Sequence, residues 1–495
     1  MSNITVSGVG GRQIRVPTGL FIDNAFVPAH ENAVVGIENP FNGQKLGSIS
    51  AAQKVDVDNA VSSATKAFNK SWRSSTPQQR RDLLNRLADL IEQDVKNLAS
   101  LEAVDAGILY RDSSNLFVPQ AAETCRYYAG WADKMDGHSL EIADGMAYTK
   151  REPYGVCAAI VPWNSPLMIT LWKLAPAIAA GNVLIIKTPE NSPLYGQRLA
   201  ELVVEAGFPP GVINILCGLG SVAGQALADH REVRKISFTG STAVGRQILA
   251  TSAKTNLKKV SLELGGKGPS IVFADADWEN ALAWTTAGIT VNNGQICAAG
   301  SRIYVQDTIY DNFVREFSQR SRNAIAGDPL LADTTKGPLI SKVQKERVMG
   351  YIQKGREEKA DLLHGGDDSG MPSNGNFVPN TAFYNVDPTA SIINEEIFGP
   401  VACIARFTTE KEAIELANGT SYGLASAVFT ENVNRAVRVG EALESGQVTV
   451  NTWGTVNVNT PFGGVKESGF GRDLGRDALD EWTHVKCIKF KISKL

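Results

Sequence analysis

Val156-Cys157-Ala158-Ala159-Ile160-Val161-Pro162 is an unbroken apolar run that closes on a proline, and a helix-compatible stretch over Pro166–Ala180 follows it. The alternation then repeats. Apolar runs recur at Val183–Lys187, Val212–Cys217, Lys235–Thr239, Val260–Leu264 and Ser270–Phe273, and most are separated by helix-compatible stretches such as Pro193–Glu205 and Thr242–Thr255. Continuously apolar runs mark strands buried on both faces, and their alternation with helices predicts a parallel sheet covered on both sides. Ligands of such sheets sit off the C-terminal ends of the strands.

A second alternating set predicts a second α/β unit: a strand at Ile303–Val305, helices over Thr308–Ile325 and Lys342–Ala360, then strands at Ile392–Phe407, Ala425–Phe429 and Gln447–Asn451. Helices near Glu410–Ala417 and Val433–Leu443 lie between the later strands. Upstream of Val156 the patterns are helical, notably at Pro77–Leu98 and Asn115–Trp131, and Asp136–Ala147 reads as a hairpin.

The bulk properties exclude several classes. The chain has 495 residues, which as a soft prior corresponds to about three domains. Lys plus Arg is 49 against 52 for Asp plus Glu, a net charge of −3, so no basic block points to nucleic acid or a membrane surface. The longest apolar stretches fall far short of the roughly 18–20 residues of a membrane span. Six cysteines without a C-x-x-C pair, and five scattered histidines, indicate neither a disulfide framework nor a metal site, and they fit a reducing compartment. The opening residues lack a charged region followed by an apolar core, so we expect no secretory signal. The C-terminal Ser493-Lys494-Leu495 matches a receptor-read peroxisomal address and leads us to expect an organelle matrix, with the cytoplasm as the alternative if the tail is not used.

Several stretches carry candidate chemistry. After the run Lys235–Phe238 comes Thr239-Gly240-Ser241-Thr242-Ala243-Val244-Gly245, where a strand meets a helix start and offers free N–H groups to an anion. An ordinary helix cap explains it as well. The cluster Gly218-Leu219-Gly220 with Gly224 is one residue off the dinucleotide fingerprint. Glu263 ends an apolar strand, where a carboxylate is either a salt-bridged strand end or a general base raised by burial. Cys297 lies between Gly294 and Gly300 in a polar stretch, a setting that favours an accessible thiol over core filler. No histidine occurs in a comparable motif, which argues against a Cys–His hydrolase. Asn164, flanked by Pro162 and Pro166, either caps the next helix or aims its amide at an oxyanion. Lys187 and Glu190 end the next strand as a solvated pair or as a clamp on a ribose.

Taken in order, P-W-N, K-T-P-E, F-T-G-S-T-x-x-G, L-E-L-G-G-K, G-Q-x-C-x-x-G-S-R, E-E-I-F-G-P and P-F-G-G-x-K-x-S-G resemble the NAD(P)-dependent aldehyde dehydrogenase superfamily over nearly the whole chain. The resemblance implies two doubly wound parallel-sheet α/β domains plus a small β oligomerisation element. Residues 1–130 and 152–264 would form the NAD-binding domain, 265–465 the catalytic domain, and 131–151 with 475–495 the oligomerisation element and tail of a homodimer or homotetramer. It implies that Cys297 attacks an aldehyde, that Asn164 and the Cys297 N–H hold the oxyanion, and that Glu263 activates the water that hydrolyses the thioester.

For the cofactor it implies Val161, Trp163, Lys187, Glu190, Gly220, Gly240, Ser241, Gly245, Leu264, Glu396 and Phe398. A carboxylate at 190 favours NAD over NADP. For the substrate it implies Ser165, Met168, Trp172, Val291, Ile296, Ala298, Val456 and Phe462. No metal is implied. Ser165, Val291 and the Gly454–Thr460 segment carry no ring where the family often has one, so we expect a wider, more polar tunnel and an aldehyde bulkier than acetaldehyde. Two alternatives follow from the same resemblance: a CoA-acylating dehydrogenase, which generally lacks the L-E-L-G-G glutamate, and a non-catalytic binding relative, expected to lose Cys297, Glu263 or Asn164.

Overall fold

The computed structural model describes residues 3–492, so the Ser493-Lys494-Leu495 tail lies outside the described residues. Val156–Ile160, Val183–Thr188 and Ile213–Cys217 are buried at every position, as continuously apolar runs require. They pair in parallel with one another and, through Val156–Ile160, with Lys235–Thr239 and then Lys259–Glu263. Gly469–Phe470 closes one edge antiparallel and Leu20–Ile22 with Ala25–Val27 the other, giving eight strands. Strand order reverses between Val156–Ile160 and Lys235–Thr239, so a crevice opens beyond their C-terminal ends, where Trp163, Asn164, Gly240 and Ser241 stand.

The second sheet has seven strands in the order Asp361–His364, Thr381–Tyr384, Val401–Phe407, Arg302–Gln306, Pro269–Val272, Ala425–Phe429, Gln447–Val450, parallel except for the first pair. The run Ser270–Phe273, which reads as the sixth of the first series, therefore belongs here. Gly265, Gly266 and Gly268 carry the chain from one sheet to the other through backbone-tight space. A Cβ at 266 would lie 2.2 Å from the Cys297 carbonyl oxygen, and one at 268 would lie 2.7 Å from that of Ala425.

Three other expectations need correction. Ile392–Phe407 is not one strand: Ser391–Asn394 is a short helix that buries Ile392 and Ile393, polar Glu395-Glu396 follows, and the strand starts at Val401. Pro77–Leu98 is two helices, Pro77–Gln93 and Val95–Ala106, because Asp94 leaves helical geometry to pair with Arg198 at 2.7 Å. The helix expected from Asn115 starts earlier: Tyr110–Asp112 and a wide π-helical turn at Ser113–Phe117 run without a break into Val118–Ala129. The strands Asn3–Ser7, Gln13–Pro17, Val34–Glu38 and Lys45–Ser50 and the helix Lys54–Lys70 have no counterpart in the expectation. The hairpin is present as Ser139–Ile142 and Gly145–Pro153, and Thr483–Lys491 completes a three-stranded antiparallel sheet with it. Among the described residues no helix is long and apolar enough to cross a membrane.

Candidate active site

The helix Trp278–Thr290 runs out into Val291–Gly294, where Asn292, Asn293 and Gly294 have φ of 47°, 54° and 66°. Asparagine and glycine are the residues that enter the left-handed region at least cost, so this tight turn is written into N-N-G. A Cβ at 294 would lie 2.3 Å from the Gly399 carbonyl oxygen, which makes the glycine obligatory on steric grounds too.

Cross-chain hydrogen bonds then tie the turn to the end of the strand Val156–Ile160. The Asn292 amide donates to the Asn164 carbonyl at 2.7 Å, and the Asn164 amide donates to the Gln295 carbonyl at 2.8 Å. The Gln295 Oε1 accepts from the Ile340 N–H at 3.1 Å. These bonds bring Asn164 and Cys297 together at the wall of one cavity of about 530 Å³, with Glu263 and Thr239 on the same wall.

Glu263 is buried and neither carboxylate oxygen has a hydrogen-bond partner. Burial holds its carboxyl well above the ordinary range, Asp473 adds like-charge repulsion, and Lys173 and Arg472 act in the opposite sense. A buried acid left free of partners at a cavity wall is suited to take and return a proton. Burial, reinforced by the Glu396 and Glu263 charges, pushes the Cys297 thiol up to about 12, against which the backbone N–H groups of Ala298 and Cys297 pull. The free thiol is therefore protonated near neutrality, and its attack on a carbonyl requires a base.

The crevice at the strand-order reversal has the features of a dinucleotide cradle. The Lys187 Nζ donates to Glu190 Oε2 at 2.7 Å, and the Gly220 N–H reaches the same carboxylate, whose pKa is lowered although burial, the largest influence, opposes this. Ser241 caps the helix Thr242–Lys254 by accepting from the Val244 N–H. A Cβ at 245 would lie 2.6 Å from Leu264 Cδ2, and one at 240 would lie 2.5 Å from the Phe238 ring, so these side chains pack directly on the two bare glycines. Thr239 Oγ1 is buried without a partner where the strand enters this crevice.

On the far side Glu396 accepts from the Gly266 N–H at 2.9 Å. Phe398 has a φ of 59°, a strained value for an aromatic residue, and meets the Trp163 ring edge-on at 5.3 Å. Val161 accompanies Trp163 at the strand end and Leu264 donates its N–H to the Ser468 carbonyl.

A family model for aldehyde dehydrogenases matches residues 26–488. The chain belongs to the aldehyde dehydrogenase family. An aldehyde dehydrogenase of Davidiella tassiana is 49% identical over 96% of both chains. Aldehyde dehydrogenase [NAD(P)+] 1 of Saccharomyces cerevisiae is 43% identical over 97% of this chain and 96% of the relative. The NAD+ complex of a Bacillus cereus aldehyde dehydrogenase superposes with a TM-score of 0.95 at 40% identity, covering 96% of this chain and 97% of that one.

All eight expected substrate residues, Ser165, Met168, Trp172, Val291, Ile296, Ala298, Val456 and Phe462, line the cavity. More rings stand here than the sequence reading counts. Phe117, Trp284 and Trp453 join Trp172 and Phe462, so five rings face the cavity, with Leu116 and Ile169 beside them. Phe117 comes from the N-terminal helical region and Trp284 from the helix before the cysteine turn, places that no local motif connects to the tunnel. Also unread in the sequence is the ion pair of Lys173 and Asp473, 2.7 Å apart and buried, with Asp473 on the cavity wall. Residues 173 and 473 are three hundred positions apart, and nothing local to either announces the other.

Proposed function

We propose that this enzyme oxidises an aldehyde to the carboxylic acid with NAD, by way of a thiohemiacetal and a thioester on Cys297. The observation that carries the reading is the cavity wall itself. A thiol, an amide N–H and a partnerless buried carboxylate converge there from three separate segments.

Each step uses one of these groups. Glu263, with its raised pKa, accepts the Cys297 proton as sulfur bonds to the carbonyl carbon. One Asn164 N–H is committed to Gln295, and the other, with the Cys297 backbone N–H, is available for the oxyanion. Collapse to the thioester releases a hydride, for which bound NAD supplies the acceptor. Glu263 gives that proton up to solvent, then takes one from water as the water attacks the thioester and returns it to the Cys297 sulfur, which leaves as the thiol. Asp473 cannot replace Glu263 as the base because Lys173 already engages it.

Lys187 and Glu190 would hold the adenosine ribose, Gly240, Ser241 and Gly245 the pyrophosphate, and Glu396 with Phe398 the nicotinamide ribose. The carboxylate at 190 disfavours a 2′-phosphate and so favours NAD over NADP. A five-ring cavity of about 530 Å³ suits an apolar aldehyde bulkier than acetaldehyde. The sheet formed by Ser139–Ile142, Gly145–Pro153 and Thr483–Lys491 exposes Leu140, Met146, Val485 and Phe490, which supports its role as the contact between copies of a dimer or tetramer.

The test is NADH formation by purified protein on short, long-chain and aromatic aldehydes without CoA, beside Cys297→Ala. Turnover highest on the larger aldehydes and abolished in the variant is expected. Rates that peak on acetaldehyde would overturn the substrate reading, and activity surviving in Cys297→Ala would overturn the mechanism.

A further inference from the structure

The turn that carries the nucleophile is bordered by cavities on both faces. The substrate cavity lies on one side, and on the other a second cavity of about 320 Å³ is lined by Asn292, Asn293, Thr286 and Lys336. Ala287 and Val291 line both. Gly294 packs against the Gly399 carbonyl, but the segment lacks packing where the two cavities border it, and polar ties help to fix it there.

Lys336 makes such a tie. Its side chain is buried, and Nζ donates to Asn293 Oδ1 at 2.8 Å and to Asn380 Oδ1 at 2.6 Å. The Asn293 amide in turn donates to the Gly337 carbonyl at 2.9 Å, so two consecutive residues grip both ends of one side chain. The frame behind them is fixed. Asn380 donates to the Ser321 carbonyl at 2.7 Å, and the Lys336 N–H donates to the Ile325 carbonyl at 3.0 Å.

Lys336 forms no ion pair among the described residues. Burial alone pushes its ammonium down to about 7. A methionine would occupy similar volume without that desolvation cost but would leave the Asn293 and Asn380 amide oxygens without their donor, so the lysine's contribution lies in these two bonds.

We infer that Lys336 is a positioning residue for catalysis: through Asn293 it holds the left-handed turn Asn292-Asn293-Gly294 and so aims Cys297 at the carbonyl carbon. The inference rests on the reading of Cys297 as nucleophile. It assigns Lys336 no contact with substrate, so aldehyde binding stays as it is while the attack slows.

The test compares Lys336→Met, Lys336→Gln and Asn293→Gly in the full-length enzyme, reading kcat, KM and the rate of Cys297 alkylation by iodoacetamide. Asn293→Gly removes the acceptor yet keeps a residue at ease in the left-handed region. Lys336→Met is expected to lower kcat and alkylation about tenfold or more with KM within about threefold, since small misplacements of a reacting group are costly. Lys336→Gln, which keeps a donor, should recover about fivefold. Lys336→Met on the Asn293→Gly background should add nothing further.

Effects within twofold for both Lys336→Met and Asn293→Gly, or fully additive losses in the double variant, would overturn the inference. If Lys336→Met does not fold, Asn293→Gly and Lys336→Gln decide the question alone. A parent enzyme without aldehyde-dependent NADH formation would sink the functional reading, while the alkylation rates would still report whether Lys336 sets the turn.

Discussion

Replacing Lys173 with methionine should move the pH dependence of thioester hydrolysis to higher pH. The cation is fully buried and 2.7 Å from Asp473, a pair whose mutual attraction at an effective dielectric of about 20 is about 6 kcal/mol before desolvation is counted. Removing one partner of such a pair costs about 3–5 kcal/mol, because the other charge stays buried and unmatched.

The freed Asp473 charge then acts undiminished on Glu263, whose raised pKa Asp473 already pushes further up and Lys173 draws down. Hydrolysis needs Glu263 ionised, so a higher pKa shifts its acid limb towards alkaline pH by about 1–2 units. Asp473→Asn should do the reverse, since it removes the repelling anion and leaves the cation. The double variant should return towards the parent. Pre-steady-state kinetics across pH, with denaturant unfolding alongside, would read both effects. Shifts of the same sign in the two single variants, or a coupling energy under about 1 kcal/mol in the double-mutant cycle, would refute this electrostatic reasoning.

Two other outcomes follow from the geometry. Asn164→Ala should lower kcat by about 10²–10³, the cost of one oxyanion donor, and steady-state rates on a good aldehyde would show it. Gly245→Ala places a methyl 2.6 Å from Leu264 Cδ2, so titration calorimetry should find NAD affinity weakened about tenfold with the free protein still folded.

Much of this enzyme is legible from sequence because its information is local. The strands around Val156 and Val183 announce themselves through unbroken apolar runs, since burial on both faces leaves no alternation to blur them. The N-N-G turn before Cys297 and the glycines at 240 and 245 are marked by residue types that only tight backbone demands. What escapes is long-range. Ser270–Phe273 looks like a sixth strand of the first sheet because periodicity cannot tell which sheet a strand joins. The glycine-lined crossing at 265–268 decides it. The tunnel's rings at Phe117, Trp284 and Trp453 come from segments far apart in the chain, so counting aromatics near the cysteine underestimates them. Lys173, Asp473 and Lys336 acquire meaning only from partners that folding brings to them.

The central claim is that Cys297 carries the acyl group and Glu263 releases it. Glu263→Gln mixed rapidly with NAD and a bulky aldehyde tests it most directly, by NADH absorbance followed by acid quench and mass spectrometry. Because Glu263 also serves the attack, the account predicts a slowed first NADH per active site, then a stall, with the acyl mass on Cys297. Sustained turnover at the parent rate, or a burst with no adduct on Cys297, would contradict it.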